Sequence, residues 1–145
     1  MITRKAKYAL QALEYLAIHG RTAPVLIADI SGQMHIPQKF LERILLDLNK
    51  KGILQSRKGK GGGYLLNRDP KDIPIGDVIR LMDGPLAPVS CVSQTAYAKC
   101  AECLDERSCC IRLVMKEVRD AIADVLDQTS LAAMVAKGQR ARKRR

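Results

Sequence analysis

A mainly α-helical fold carrying one small β-hairpin is the class this sequence predicts, on three observations. Apolar residues recur at three- and four-residue spacing through several separate segments, the period of helices with one buried face. One basic, glycine-rich run, Arg57-Lys58-Gly59-Lys60-Gly61-Gly62-Gly63, lies between two short apolar segments, Ile53-Leu54 and Tyr64-Leu65-Leu66. Nowhere do strand patterns alternate with helical ones in the way that would build a parallel sheet.

The first helix is expected over residues 3–19, where Ala6, Ala9, Leu10, Leu13, Leu16 and Ala17 share one face and Gly20 suits the C-terminal cap. A short second helix is expected over residues 25–31, with Leu26, Ile27 and Ile30 as its apolar positions. Gly32 to Ile36 makes a turn. Pro37 then opens a third helix, at the position where a missing N–H costs nothing. Its apolar side is drawn from Phe40, Leu41, Ile44, Leu45 and Leu48, and Gly52 stops it. At least one of Phe40 and Leu41 belongs to the core. The basic run follows as a hairpin whose glycines allow positive φ and close approach to another surface. After a loop from Asn67 to Pro74, a fourth helix spans residues 75–82, built on Val78, Ile79 and Leu81 and ended by Asp83-Gly84-Pro85.

Residues 85–109 change character. They are poor in large apolar side chains and hold four of the five cysteines, so an irregular loop is expected. A loop that long in a compact domain usually has a function. The longest helix then runs from about residue 110 to 127. Ile111, Val114, Val118, Ala121, Ile122 and Val125 form a near-heptad stripe, too apolar to be left in water. Ser130 caps a last short helix to Ala136, and the basic residues 137–145 read as a disordered tail. The expected organisation is a winged domain over 1–84, a cysteine-rich loop over 85–109, a dimerisation helix with its short successor over 110–136, and the tail.

Composition narrows the partners. The net charge is +10, of which Lys137, Arg140, Arg142, Lys143, Arg144 and Arg145 supply six. Aromatics are only 3% of the chain, too few for single-strand or RNA binding by base stacking. No apolar stretch approaches the roughly 18 residues needed to span a bilayer, and the N-terminal segment is amphipathic rather than a signal core. A cytosolic setting with reduced thiols is therefore expected.

Two helices joined by a brief turn and followed by a basic hairpin make a winged helix-turn-helix. Its second helix would enter the major groove of double-stranded DNA, with residues near its N-terminus at the base edges. Gln38, Lys39, Glu42 and Arg43 fall on the outer face. Gln can read adenine, Arg guanine, and Glu can accept from cytosine N4. Phe40 could touch thymine methyls. Arg57, Lys58 and Lys60 on the hairpin would meet phosphates or the minor groove. A nucleotide-binding loop would need Gly-Lys followed by Ser or Thr, whereas Lys60 precedes Gly61. One copy of the motif reads one half-site, so a two-fold dimer is expected, through the stripe on the long helix. Packing of that stripe on its own domain is the alternative.

Nearly the whole chain apart from the tail resembles the Rrf2 family of bacterial transcription regulators. The resemblance is carried by Tyr8-Ala9-Leu10, by Ile36-Pro37-Gln38-Lys39-Phe40-Leu41-Glu42-Arg43-Ile44-Leu45, by Gly59-Lys60-Gly61-Gly62-Gly63-Tyr64 and by Ile75-Gly76-Asp77-Val78-Ile79-Arg80. It implies a homodimer with crossed long helices and binding to partly palindromic operators. It also carries DNA contacts onto Lys39, Phe40, Glu42 and Lys58.

Cys91, Cys100, Cys103, Cys109 and Cys110 lie within twenty residues of one another. Clustered thiolates suit soft metals: zinc, copper(I) or iron–sulfur. The resemblance implies an iron–sulfur cluster of the 2Fe-2S kind on Cys91, Cys103 and Cys109, with Cys100 competing as second ligand or serving as a fourth. The position where some members place a histidine ligand is Arg112 here, or Leu113 if Cys110 is the last ligand. Where others borrow a carboxylate from the partner's first helix, this chain offers Lys7 and Tyr8, with Glu14 nearby. Two other readings stay open. Zinc would be satisfied by Cys91, Cys100, Cys103 and Cys109. Cys100-Ala101-Glu102-Cys103 has the spacing of a redox dithiol, and reversible oxidation without a cluster would also change the loop. His19 and His35 are far from the cysteines and are assigned to no site.

No enzyme is expected, since the C-x-x-C lacks a βαβ setting and no triad or carboxylate pair can be assembled. A metal or cluster carrier is the alternative from another class; it would bind no specific DNA sequence.

Overall fold

In the computed structural model, which describes residues 1–145, six α-helices and one hairpin follow each other in the order expected. Helix α1, Arg4–His19, starts where the Thr3 hydroxyl accepts from the Ala6 N–H at 3.3 Å. Its inner face is Ala6, Ala9, Ala12, Leu13 and Leu16, all fully buried. The three alanines keep that face thin, so other helices approach closely.

Helix α2 is Ile27–Met34 and helix α3 is Gln38–Lys50. The second helix thus begins and ends later than its sequence suggests, with Gly32 to Met34 in its last turn. Val25 is instead in extended backbone, exchanging hydrogen bonds with Tyr64 at 2.8 and 2.9 Å. Leu26, expected inside, is 55% exposed. Strands β1, Leu54–Arg57, and β2, Gly63–Leu66, pair antiparallel from Leu54 opposite Leu66 to Arg57 opposite Gly63. The Val25 bridge fixes the outer side of β2 to the rest of the domain.

Leu41, Ile44, Leu45 and Leu48 of α3 join Ile30, Ile53, Leu54 and Leu66 against α1 in one core. Helix α4, Ile75–Asp83, closes it with Ile75, Val78, Ile79 and Met82. The segment from Gly84 to Cys109 is largely irregular, with one 3-10 turn at Ser90–Val92. Val92 and Ser93 are its buried residues.

Helix α5, Cys110–Gln128, has no fully buried residue. Helix α6, Leu131–Lys143, begins with the Ser130 hydroxyl accepting from the Ala133 N–H at 3.1 Å. It does not stop at Ala136: the basic residues to Lys143 continue it and are not a disordered tail. Lys, Arg, Ala and Gln are good helix formers, and cations favour a helix C-terminus. Arg142 also pairs with Glu14 of α1 at 2.7 Å. No helix is long and apolar enough to cross a membrane.

Candidate functional site

The turn between α2 and α3 is held by its own chemistry. His35 takes a left-handed conformation, φ 53°, which lets the chain reverse. The Ser31 hydroxyl donates to the Ile36 carbonyl at 2.6 Å, and Ile36 is buried. Pro37 follows in extended backbone and α3 begins at Gln38.

Of the two apolar residues in the first turn of α3, Leu41 is the core residue. Phe40 is 45% exposed and meets Tyr8 of α1 edge to face, with ring centroids 5.6 Å apart. Gln38, Lys39, Glu42 and Arg43 are all exposed. The same holds for Arg57, Lys58 and Lys60 of the hairpin. None of these charged side chains is held in an ion pair. Five free cations, one amide and one carboxylate, with one exposed ring, are suited to phosphates and base edges. Gly59 and Gly61 take positive φ at the hairpin tip, where a Cβ on either would meet open space.

The cysteines divide by exposure. Cys91, Cys103 and Cys109 are half-buried, while Cys100 and Cys110 are exposed, and all five are free thiols. Burial pushes the Cys103 thiol up, and the nearby Cys109, Glu106 and Cys91 push the same way against Lys99. Cys100 donates to the Glu102 carboxylate at 3.1 Å, which raises its thiol and lowers the carboxyl. The Tyr97 hydroxyl donates to Glu106 at 2.5 Å. In donor type the loop fits a soft metal. In geometry no three ligating side chains stand close enough to hold an ion, so a metal would require the loop to tighten. Glu14 is committed to Arg142.

The long helix has two distinct faces. Of the stripe, Ile111, Val114, Val118, Ile122 and Val125 are between 38 and 64% exposed, and Ala121 is exposed too. The stripe therefore does not pack on its own domain. The opposite face carries charge. Arg112 donates to the Cys91 carbonyl at 3.3 Å, and Arg119 to the Val92 carbonyl at 2.6 Å. Further along, Asp127 accepts two hydrogen bonds from Arg80 of α4, at 2.7 and 2.8 Å. The sequence reading names Arg80 and Arg112 but gives none of the three arginines these contacts. Their one available signal is the seven-residue step from Arg112 to Arg119, which puts both on one helix face.

A family model described as Rrf2, iron-dependent transcriptional regulator, matches residues 2–137. An rrf2-like HTH-type transcriptional regulator of Rhodobacter capsulatus is 42% identical over 99% of this chain and 97% of its own. The HTH-type transcriptional regulator IscR of Serratia proteamaculans is 31% identical over 92% of this chain and 78% of its own. Among solved structures, CymR, the global cysteine regulator of B. subtilis, superposes with a TM-score of 0.78 at 28% identity, over 94% of this chain and 97% of that one.

Proposed function

The chain belongs to the Rrf2 family of transcriptional regulators, and from that premise we propose that it is a homodimeric, cytoplasmic DNA-binding switch whose cysteine loop carries an iron–sulfur cluster. The observation that carries the reading is the pairing of an exposed α3 and basic hairpin with a separate loop of three half-buried thiols. The α3 residues Gln38, Lys39, Phe40, Glu42 and Arg43 would read one half-site. Arg57, Lys58 and Lys60 would hold the backbone. The apolar stripe of α5 would meet its symmetry mate, bringing two recognition helices about 34 Å apart.

Cys91, Cys103 and Cys109 would hold the cluster, preferably of the 2Fe-2S kind, with Cys100 as the spare or fourth donor. Such a cluster would supply reversible one-electron chemistry at these thiolates. This chain's contribution is the soft donor set and a route outward, since Arg112 grips the backbone at Cys91.

The second reading is a thiol or zinc switch without a cluster. Its thiol form is favoured by the five free thiols and by the absence of any three donors within reach of one ion, which zinc would need as much as a cluster does. Anaerobic purification decides between them. Visible absorption with matched iron and acid-labile sulfide supports the cluster. A colourless protein with stoichiometric zinc, or one that binds no metal after reconstitution, replaces it with the second reading. DNA reading is tested separately, by footprinting: a carrier protein leaves no sequence-specific protection.

A further inference from the structure

The winged domain and the long helix are joined by a built contact. Arg80 and Asp127 meet through two parallel hydrogen bonds, and Asp77 adds a third carboxylate contact to Arg80 at 3.4 Å. Such a forked pair fixes orientation as well as distance. It stands on a site shaped for it: a Cβ on Gly76 would lie 2.0 Å from the Asp127 Oδ1. The α5–α6 corner is stitched down beside it. The Ile75 N–H donates to the Thr129 carbonyl at 2.9 Å, and the Leu131 N–H to the Ile73 carbonyl at 2.8 Å.

We propose that the Arg80–Asp127 clasp, with Gly76 beneath it, sets the angle between the winged domain and the long helix, and so selects the spacing between operator half-sites. The inference rests on the dimeric DNA-reading function above. The stripe that would meet the second copy is on the same helix as Asp127. The angle at the clasp therefore becomes the separation of two recognition helices. Arg80 and Asp127 touch no base. They are positioning residues, and their effect falls on how two heads fit one duplex, not on how one head reads it.

The wild-type dimer is first used to enrich a site from a random duplex pool. Affinity is then measured for duplexes carrying one half-site, and for pairs of half-sites at the enriched spacing or shifted by one base pair either way. Wild type is expected to prefer the enriched spacing by about tenfold or more, and Gly76→Ala and Asp127→Ala to reduce that to about threefold or less. Half-site affinity is expected to stay at the wild-type level in both. The exchanged pair Arg80→Asp with Asp127→Arg is expected to restore the preference. A purely structural role would lower half-site and paired-site binding together, which overturns the proposal. So do single variants that keep the wild-type preference, or a wild type indifferent to spacing. If wild type enriches no sequence, the DNA-reading function itself falls, before any variant is made.

Discussion

Arg119 reaches from the long helix to the Val92 carbonyl, donating at 2.6 Å from a side chain only 13% exposed. It pairs with Asp120 beside it. One turn-pair earlier, Arg112 does the same to Cys91. The first thiol of the cysteine loop is therefore held through its backbone by the helix that bears the exposed apolar stripe. Arg119→Met keeps the length and removes the donors. It leaves the carbonyl of buried Val92 without its partner, a loss of about 1–3 kcal/mol. The loop should loosen first, so Cys91 in the metal-free protein should alkylate faster than in wild type, with a lower melting temperature. Unchanged Cys91 reactivity would mean the strap does not hold the loop.

Charge and base reading should separate on the DNA face. Lys58 is exposed and unpaired on the hairpin, as are Gln38 and Glu42 on α3. Lys58→Ala should weaken binding to every duplex and lower the salt slope by about one. Gln38→Ala or Glu42→Ala should leave the slope alone and relax discrimination at one position by about 1–3 kcal/mol. Titrations at several salt concentrations, on the preferred site and single-base variants, distinguish the two classes. A Gln38 variant with only a changed slope would move that residue to the phosphate group.

The helices were readable because their faces are periodic, and the hairpin because glycine and lysine alternate in so short a run. What was not readable came from partners distant in sequence. Leu41 and Phe40 are equivalent by pattern; only the position of α1, with Tyr8 beside Phe40, sends one inward and the other out. Val25 reads as part of a helix until Tyr64 offers it two hydrogen bonds. The basic stretch after Ala136 reads as a tail because its anchor, Glu14, lies 128 residues earlier. For the cysteines, sequence gave the cluster and the family resemblance gave the trio. The half-burial of Cys91, Cys103 and Cys109 is a property of the folded loop.

The clasp should be insensitive to pH in the neutral range. The hydrogen bonds from Arg80 hold the Asp127 carboxyl below its usual value, against a smaller desolvation effect. A carboxyl depressed in the fold contributes stability above its unfolded value, about 4, and loses it as pH falls through the lower folded value. Asp127 is 42% exposed, so the contribution is about 0.5 kcal/mol or less after screening. Urea unfolding of wild type and Asp127→Ala should differ by a constant amount from pH 8 to 5, and the difference should shrink toward pH 3. A difference that grows on acidification would contradict the assignment.

Cys100 should be a slow nucleophile while Glu102 is present. Its thiol donates to that carboxylate and is raised by it, so less of it is thiolate at pH 7, the reactive form. In the metal-free Glu102→Ala variant, iodoacetamide should modify Cys100 about two- to fivefold faster. Peptide mass spectrometry follows each cysteine separately. An equal rate in both proteins would remove Glu102 as the controlling group.

The turn-side end of β2 should tolerate no side chain, while the tip of the loop tolerates one at modest cost. Gly63 has φ 141°, and a Cβ there would lie 2.3 Å from the Val25 carbonyl oxygen. Gly61 has φ 75° with open space around it. Gly61→Ala carries only the left-handed penalty, about 1–2 kcal/mol. Gly63→Ala adds a collision with backbone that cannot swing aside, so β2 must leave Val25 and break both hydrogen bonds to Tyr64. Its total cost should be about 3 kcal/mol or more. Released from Val25, the hairpin would no longer present Arg57, Lys58 and Lys60 in one place. DNA affinity should therefore fall for all sequences in the Gly63 variant, under conditions where it remains folded, and far less in the Gly61 variant. Chemical unfolding and DNA titration of both proteins test the order. A Gly61 variant as damaged as the Gly63 one would show that the tip conformation, and not the Val25 contact, governs the hairpin.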